Sequence, residues 1–212
     1  MNELQPLAVK PKQGGYTIIE LGIALTIIAV LIVAGLAGVT AVLNNSKANS
    51  QIEESGVVLA KLQSMLTSTS VSGMTTAGAV GAGYFPASRV SGSGSTTAVA
   101  SRFTGSEFVA SNSAALTTGT NGVAALANVG AIYTITGVPK AVCANIASSL
   151  ATLANAAWIH TTATAEGTAG AVGGFTASTS QIKAPGGQVL GAKVGTQCNA
   201  ADTVNLAFFL RP

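Results

Sequence analysis

Charged side chains make up only 8% of the 212 residues, against about 25% in an average soluble domain. The ten Lys and Arg are scattered without a basic stripe. The phosphate-neutralising surface of a nucleic-acid binder is therefore missing, and no nucleic-acid partner is expected. Highly charged disorder is excluded as well, because net charge is only +3 and 48% of the residues are apolar. The chain holds one His, one Asp and six Glu. Such a set is too sparse for acid–base or metal chemistry, so no catalytic residue, metal or cofactor is expected, and His160 reads as a structural or surface histidine. Proline is absent between Pro11 and Pro86, which leaves nothing to break a long helix there.

What is abundant is concentrated. Leu21–Val39 is a run of nineteen residues without a charge, and Thr26 is its one clearly polar side chain. As a helix this run spans about 28 Å, close to the roughly 30 Å hydrocarbon core of a bilayer. A signal-peptide core is shorter and ends at a small-residue cleavage site. Here the pattern continues instead, with Ile52, Val58 or Leu59, Leu62 and Leu66 at helical spacing, separated by Lys47, Gln51, Glu53, Glu54, Lys61 and Gln63. The reading is one helix over 16–69, membrane-spanning over 16–43 and amphipathic over 44–69. Gly35 and Gly38 are its expected points of bending or local melting. Lys10 and Lys12 precede the run, which holds residues 1–15 in the cytoplasm and sends everything after Asn44 outward.

One carboxylate interrupts the start of this stretch. Glu20 lies between Ile19 and Leu21, with no Lys or Arg within a helical turn. An acid at a membrane span is costly unless paired, although a helix start favours negative charge through the dipole. A cut just before Tyr16 would create an α-amino cation four residues away, able to pair with Glu20 of its own chain or of a neighbour.

The segment Gly14-Gly15-Tyr16-Thr17-Ile18-Ile19-Glu20-Leu21, behind a short basic leader, resembles the class III signal sequence of type IV pilins. The close resemblance covers about residues 11–66. It implies cleavage between Gly15 and Tyr16 by a prepilin peptidase, N-methylation of Tyr16, and neutralisation of the Tyr16 amine by Glu20 of a neighbouring subunit. It further implies a helical homo-oligomer, built by inner-membrane pilus assembly machinery from a precursor held in the inner membrane of a Gram-negative cell and ending as an extracellular pilus. Glycine before the cut suits a protease cleft, where the backbone must extend. The type IVa branch commonly carries proline where this chain has Ala37. The apolar half and the stretch Tyr133–Cys143 instead resemble the type IVb or conjugative thin-pilus branch.

The implied fold class is α+β, a long N-terminal helix packed on an antiparallel sheet, with residues 70–212 as the head. Residues 68–83 and 91–97 read as loops, as does the Gly-rich 167–174. Phe103, Phe108 and Val109 edge a small strand. Strands are expected over 132–136, 188–194 and 203–210 from alternation and β-branching. Pro139 suits the first position of a helix whose apolar face is Val142, Ile146, Leu150 and Leu153. Adjacent Phe208 and Phe209 imply a strand covered on both faces or packed against a neighbour. Cys143 and Cys198 are the two cysteines, and the topology puts both in an oxidising compartment. Joined, they close a loop of 56 residues, worth about 4 kcal/mol in the chain-entropy model. A redox or metal pair is opposed by the lack of C-x-x-C spacing. In type IVb pilins such a pair resembles the bridge stapling the C-terminal region to the head.

The resemblance thus implies a non-enzymatic structural subunit, a major pilin serving adhesion, aggregation or conjugation. A minor pilin or type II secretion pseudopilin is the alternative within the family. A membrane-anchored periplasmic enzyme or receptor is the alternative outside it, and it predicts no cleavage at Gly15.

Overall fold

The computed structural model describes residues 15–68, 73–111, 130–161 and 180–211. The expected leader (except Gly15) and the Gly-rich 167–174 lie outside the described residues. Helix α1 runs from Ile18 to Ser68, 51 residues, and continues unbroken through Gly35 and Gly38. It starts two residues later than expected because Thr17 is its cap. The Thr17 hydroxyl accepts the Glu20 backbone N–H at 3.3 Å, and the Thr17 carbonyl accepts the first helical bond, from Leu21 N–H, at 3.1 Å. The chain divides into two compact units that meet between Val42 and Leu43. The apolar window of α1 belongs to the first and is nowhere buried. The rest of α1 belongs to the second.

That second unit is an α+β head. Its sheet has seven strands in the order β1-β2-β3-β4-β7-β5-β6, antiparallel throughout. They are β1 Val90–Ser91, β2 Ala98–Ala100, β3 Ser106–Ser111, β4 Ala131–Pro139, β5 Ala156–His160, β6 Gln181–Lys183 and β7 Thr203–Leu210. Period-two alternation sorts the side chains of the central strands. Tyr133, Ile135, Ile159, Leu206 and Phe208 join Leu59, Leu62 and Leu66 of α1 in the main core. Ile132, Ala156, Trp158, Ala207 and Phe209 form a second cluster on the other face. Phe208 and Phe209 are both fully buried, so β7 is covered on both faces within one chain. Trp158 belongs to that second cluster and is a core residue.

Helix α3 (Lys140–Ala151) follows β4 directly, and Pro139 is its cap rather than its first residue. Val142, Cys143, Ile146, Ala147 and Leu150 are its buried face. Leu153 lies past its end and is half exposed, so it does not extend that face. The Lys183 ammonium closes the end of α3, donating to the carbonyls of Ala151 at 2.8 Å and Ala154 at 2.7 Å. β4 is longer than the expected 132–136, and its register against β7 shifts between Ile135 and Val138. Gly137 takes φ +69° there, and a side chain on Gly105 opposite would sit 2.0 Å from the Thr136 carbonyl oxygen. Glycine at both positions is what lets the bulge form.

Two further expectations are corrected. Residues 188–194 are not a strand. The chain turns at Gly186, Leu190 N–H makes a single 2.8 Å bond to the Ile182 carbonyl, and helix α4 begins at Gly191 and runs to Cys198. Val194 and Cys198, one helical turn apart, supply its buried side. A short run of mixed small and apolar residues suits either period, and tertiary packing decides. The region after α1 is not all loop, since Thr76–Gly81 forms helix α2, capped by the Thr75 hydroxyl accepting Gly78 N–H. Ser91 ends β1, and 92–97 is the expected connection to β2, with a 3-10 turn over Gly94–Thr96. Its Thr96 hydroxyl donates to the Ser93 carbonyl at 2.8 Å.

Candidate functional site

The first site is the N-terminal face of α1. Gly15, Tyr16 and Thr17 precede the first helical residue, all exposed, and the Tyr16 ring is 83% exposed. The peptide bond between Gly15 and Tyr16 is therefore free of helical hydrogen bonding and open to solvent. Glu20 sits on the third residue of the helix. Its N–H reaches back to Thr17, which is half of the Ser/Thr-x-x-Glu capping pattern. The pattern Thr17-Ile18-Ile19-Glu20 carries that signal in the sequence, a cap beside the carboxylate. Among the described residues, none forms an ion pair with Glu20. Beyond it, every large apolar side chain from Ile18 to Leu43 is at least 51% exposed, on all sides of the helix. Covering one Leu, Ile or Val side chain is worth about 1.5–3 kcal/mol. A surface like this is stable in lipid or against other apolar helices, and α1 is long and apolar enough to cross a bilayer.

The second feature is the disulfide. Cys143 on α3 and Cys198 at the end of α4 are bonded, with Cα atoms 5.7 Å apart. Both are buried, so the bridge ties α4 to α3 inside the core of the head.

A third feature was missed by pattern reading. Gln51, one of the polar residues between the apolar positions of α1, and Ser55 are fully buried. The Gln51 amide donates to Ser55 Oγ at 2.7 Å and to Glu107 Oε1 at 2.8 Å, and its oxygen accepts the Arg102 N–H at 3.0 Å. The Tyr133 hydroxyl donates to Glu107 Oε2 at 2.5 Å. With that proton committed, Ser55 Oγ donates to the Tyr133 oxygen at 2.9 Å. Arg89 bridges Glu107 and Glu54, and Arg102 also pairs with Glu54. Two cations meet two carboxylates, so the cluster is neutral. Burial works to raise the Glu54 carboxyl, but hydrogen bonds and charge from Arg102 and Arg89 outweigh it and hold it below the usual carboxylate range. Burial pushes the Tyr133 phenol well up, keeping it a neutral donor. The signal in the sequence was a small-and-polar stripe, Ala48, Gln51 and Ser55, in helical register with Val58, Leu59, Leu62 and Leu66.

His160 ends β5, opposite Asn205 of β7. It is half-buried, and burial lowers its pKa from 6.5 to about 4. Among the described residues, no group of His, Cys, Asp and Glu is placed to hold a metal ion.

No protein-family model matches the chain, and no curated protein sequence matches it. Among solved structures, the type IVb pilin from Salmonella typhi matches with a TM-score of 0.51 at 15% sequence identity, over 77% of this chain and 99% of that one. The likeness is one of fold: a long N-terminal helix on an antiparallel sheet, the type IV pilin fold.

Proposed function

We propose that the chain is the precursor of a type IV pilus major subunit of the type IVb or conjugative thin-pilus kind. Residues 1–15 are its leader, 16–69 its helix and 70–212 its head. Prepilin peptidase cuts between Gly15 and Tyr16, the new amine is methylated, and inner-membrane assembly machinery moves the subunit from the inner membrane into an extracellular fibre. Packing of apolar helices then replaces lipid contact, driven by burial of the surface from Ile18 to Leu43. Each Glu20 carboxylate neutralises the Tyr16 amine of a neighbour, which removes the cost of an unpaired acid in an apolar fibre core. The observation that carries this reading is the bare helix, apolar on every side and interrupted by a single acid at its start. The pilin fold of the head supports it.

Abundance tests the reading. Fibres sheared from the cell surface should contain this chain as their main protein. Trace amounts at a tip or base would favour a minor pilin or pseudopilin. Retention of the whole pool in the membrane fraction would favour an anchored receptor or enzyme.

A further inference from the structure

Apolar contacts are non-directional, so the main core alone leaves the axial position of α1 in the head weakly specified. A slip of one turn, four residues, moves a helix by about 6 Å. After such a slip, Ile52, Leu59, Leu62 and Leu66 would stand where Ala48, Ser55, Val58 and Leu62 now stand. The apolar losses would be Gln63 in the place of Leu59 and Ser70 in the place of Leu66. The polar cluster does not tolerate the change. Glu107 would face Ser55 in place of Gln51, Tyr133 would face Leu59, and Arg89 and Arg102 would face Val58 in place of Glu54. These pairings are all made in the observed register of α1, with the Arg89 Nε buried beside them and bonded to none of them. Fixing a register is the best-attested use of buried polar and ionic groups, which otherwise contribute little net stability over apolar residues of the same volume.

We propose that Gln51, Glu54 and Ser55, with Arg89, Glu107 and Tyr133, form a register lock that fixes where α1 enters the head. The lock fixes Ala48 as a buried residue of α1 within the head. It belongs to the head alone and holds whether or not the chain assembles into fibres.

Cross-linking of the full chain in detergent tests it. A side chain added at Gly56 would lie 3.8 Å from Leu153 Cδ1. The pair Gly56→Cys and Leu153→Cys therefore reports the observed register. The pair Ala60→Cys and Leu153→Cys reports the one-turn slip. A short bifunctional thiol reagent and peptide mapping give the ratio of the two products. With the lock intact, the slipped product should be at least about tenfold rarer. In the background Gln51→Leu, Arg89→Met, Glu107→Leu, the head should keep its circular dichroism and thermal midpoint while the share of the slipped product rises at least about tenfold over that of the intact chain. A second background, Gln51→Met, Ser55→Ala, Tyr133→Phe, keeps the ion pairs and decides the matter if the first does not fold. An unchanged ratio in the folded backgrounds overturns the lock. Loss of folding in both overturns it too, since the cluster would then supply stability rather than register.

Discussion

The two halves of α1 are one continuous helix with opposite relations to water. From Ile18 to Val42 no side is protected, and polar groups are nearly absent. From Leu43 to Ser68 one stripe is buried, and that stripe mixes Leu59, Leu62 and Leu66 with Gln51 and Ser55. The first half has high affinity for any apolar partner and no means of choosing one, apart from Glu20. The second half has directional partners for its buried polar atoms and one way to sit. Adhesive surface and specific fit are thus separated along one helix.

The sharpest way to break this comparison is to remove the one directional group of the first half. Glu20→Ala should leave processing at Gly15 intact and reduce fibre yield by at least tenfold, about 1.4 kcal/mol or more per subunit step. Immunoblots of the sheared and membrane fractions measure it, and normal fibre yield would remove Glu20 from assembly. Next in size, Cys143→Ser should cost the head about 4 kcal/mol and abolish stable subunits, read as loss of steady-state protein. Wild-type levels would show that packing of α4 suffices without the bridge. A matched pair then sharpens the contrast. Leu62→Ala, in the buried stripe, should cost about 2–5 kcal/mol in denaturant unfolding of the detergent-solubilised chain. Leu31→Ala, in the bare half, should change it by less than about 0.5 kcal/mol. Equal effects would mean that the two halves are not distinct.

The two halves were legible in the sequence to different degrees, for a physical reason. The first half is apolar in every direction, so composition and length identify it, and the structure departs only at its start, where Thr17 caps the helix. β7 was readable at its full extent because Val204, Leu206 and Phe208 alternate with residues facing the other side. β5 was not, since Ala156–Ile159 is a continuous apolar stretch buried on both faces and gives no period. Residues 188–194 mimic a strand until packing of Val194 and the bond of Cys198 to Cys143 favour a helix. The polar cluster was hidden for a related reason. Gln51 is polar, and only the partners brought by β3, β4 and the segments around Arg89 and Arg102 make burial possible. Those partners lie 38 to 82 residues away from it in the chain, beyond any local pattern.

The smallest expected effect concerns pH and separates the head from the bare helix. His160 binds its proton in the unfolded chain below about 6.5 and in the folded head only below about 4. Between those values the unfolded state holds more protons, so stability falls as pH drops through that window. Loss from Glu54, whose carboxyl is held low, begins only as pH falls below its unfolded value of about 4.5. His160→Gln should therefore flatten the urea midpoint between pH 6.5 and 5 while leaving the acid limb in place. An unchanged slope would move the source of the pH dependence away from β5.

Assembly as proposed turns on one chemical event, hydrolysis that releases the leader and leaves a free amine on Tyr16, four residues from Glu20. Sequencing the N-terminus of the chain recovered from the cell exterior tests it most directly. The expected first residue is Tyr16, with a methyl group on its nitrogen. A chain that still begins at Met1 would contradict it.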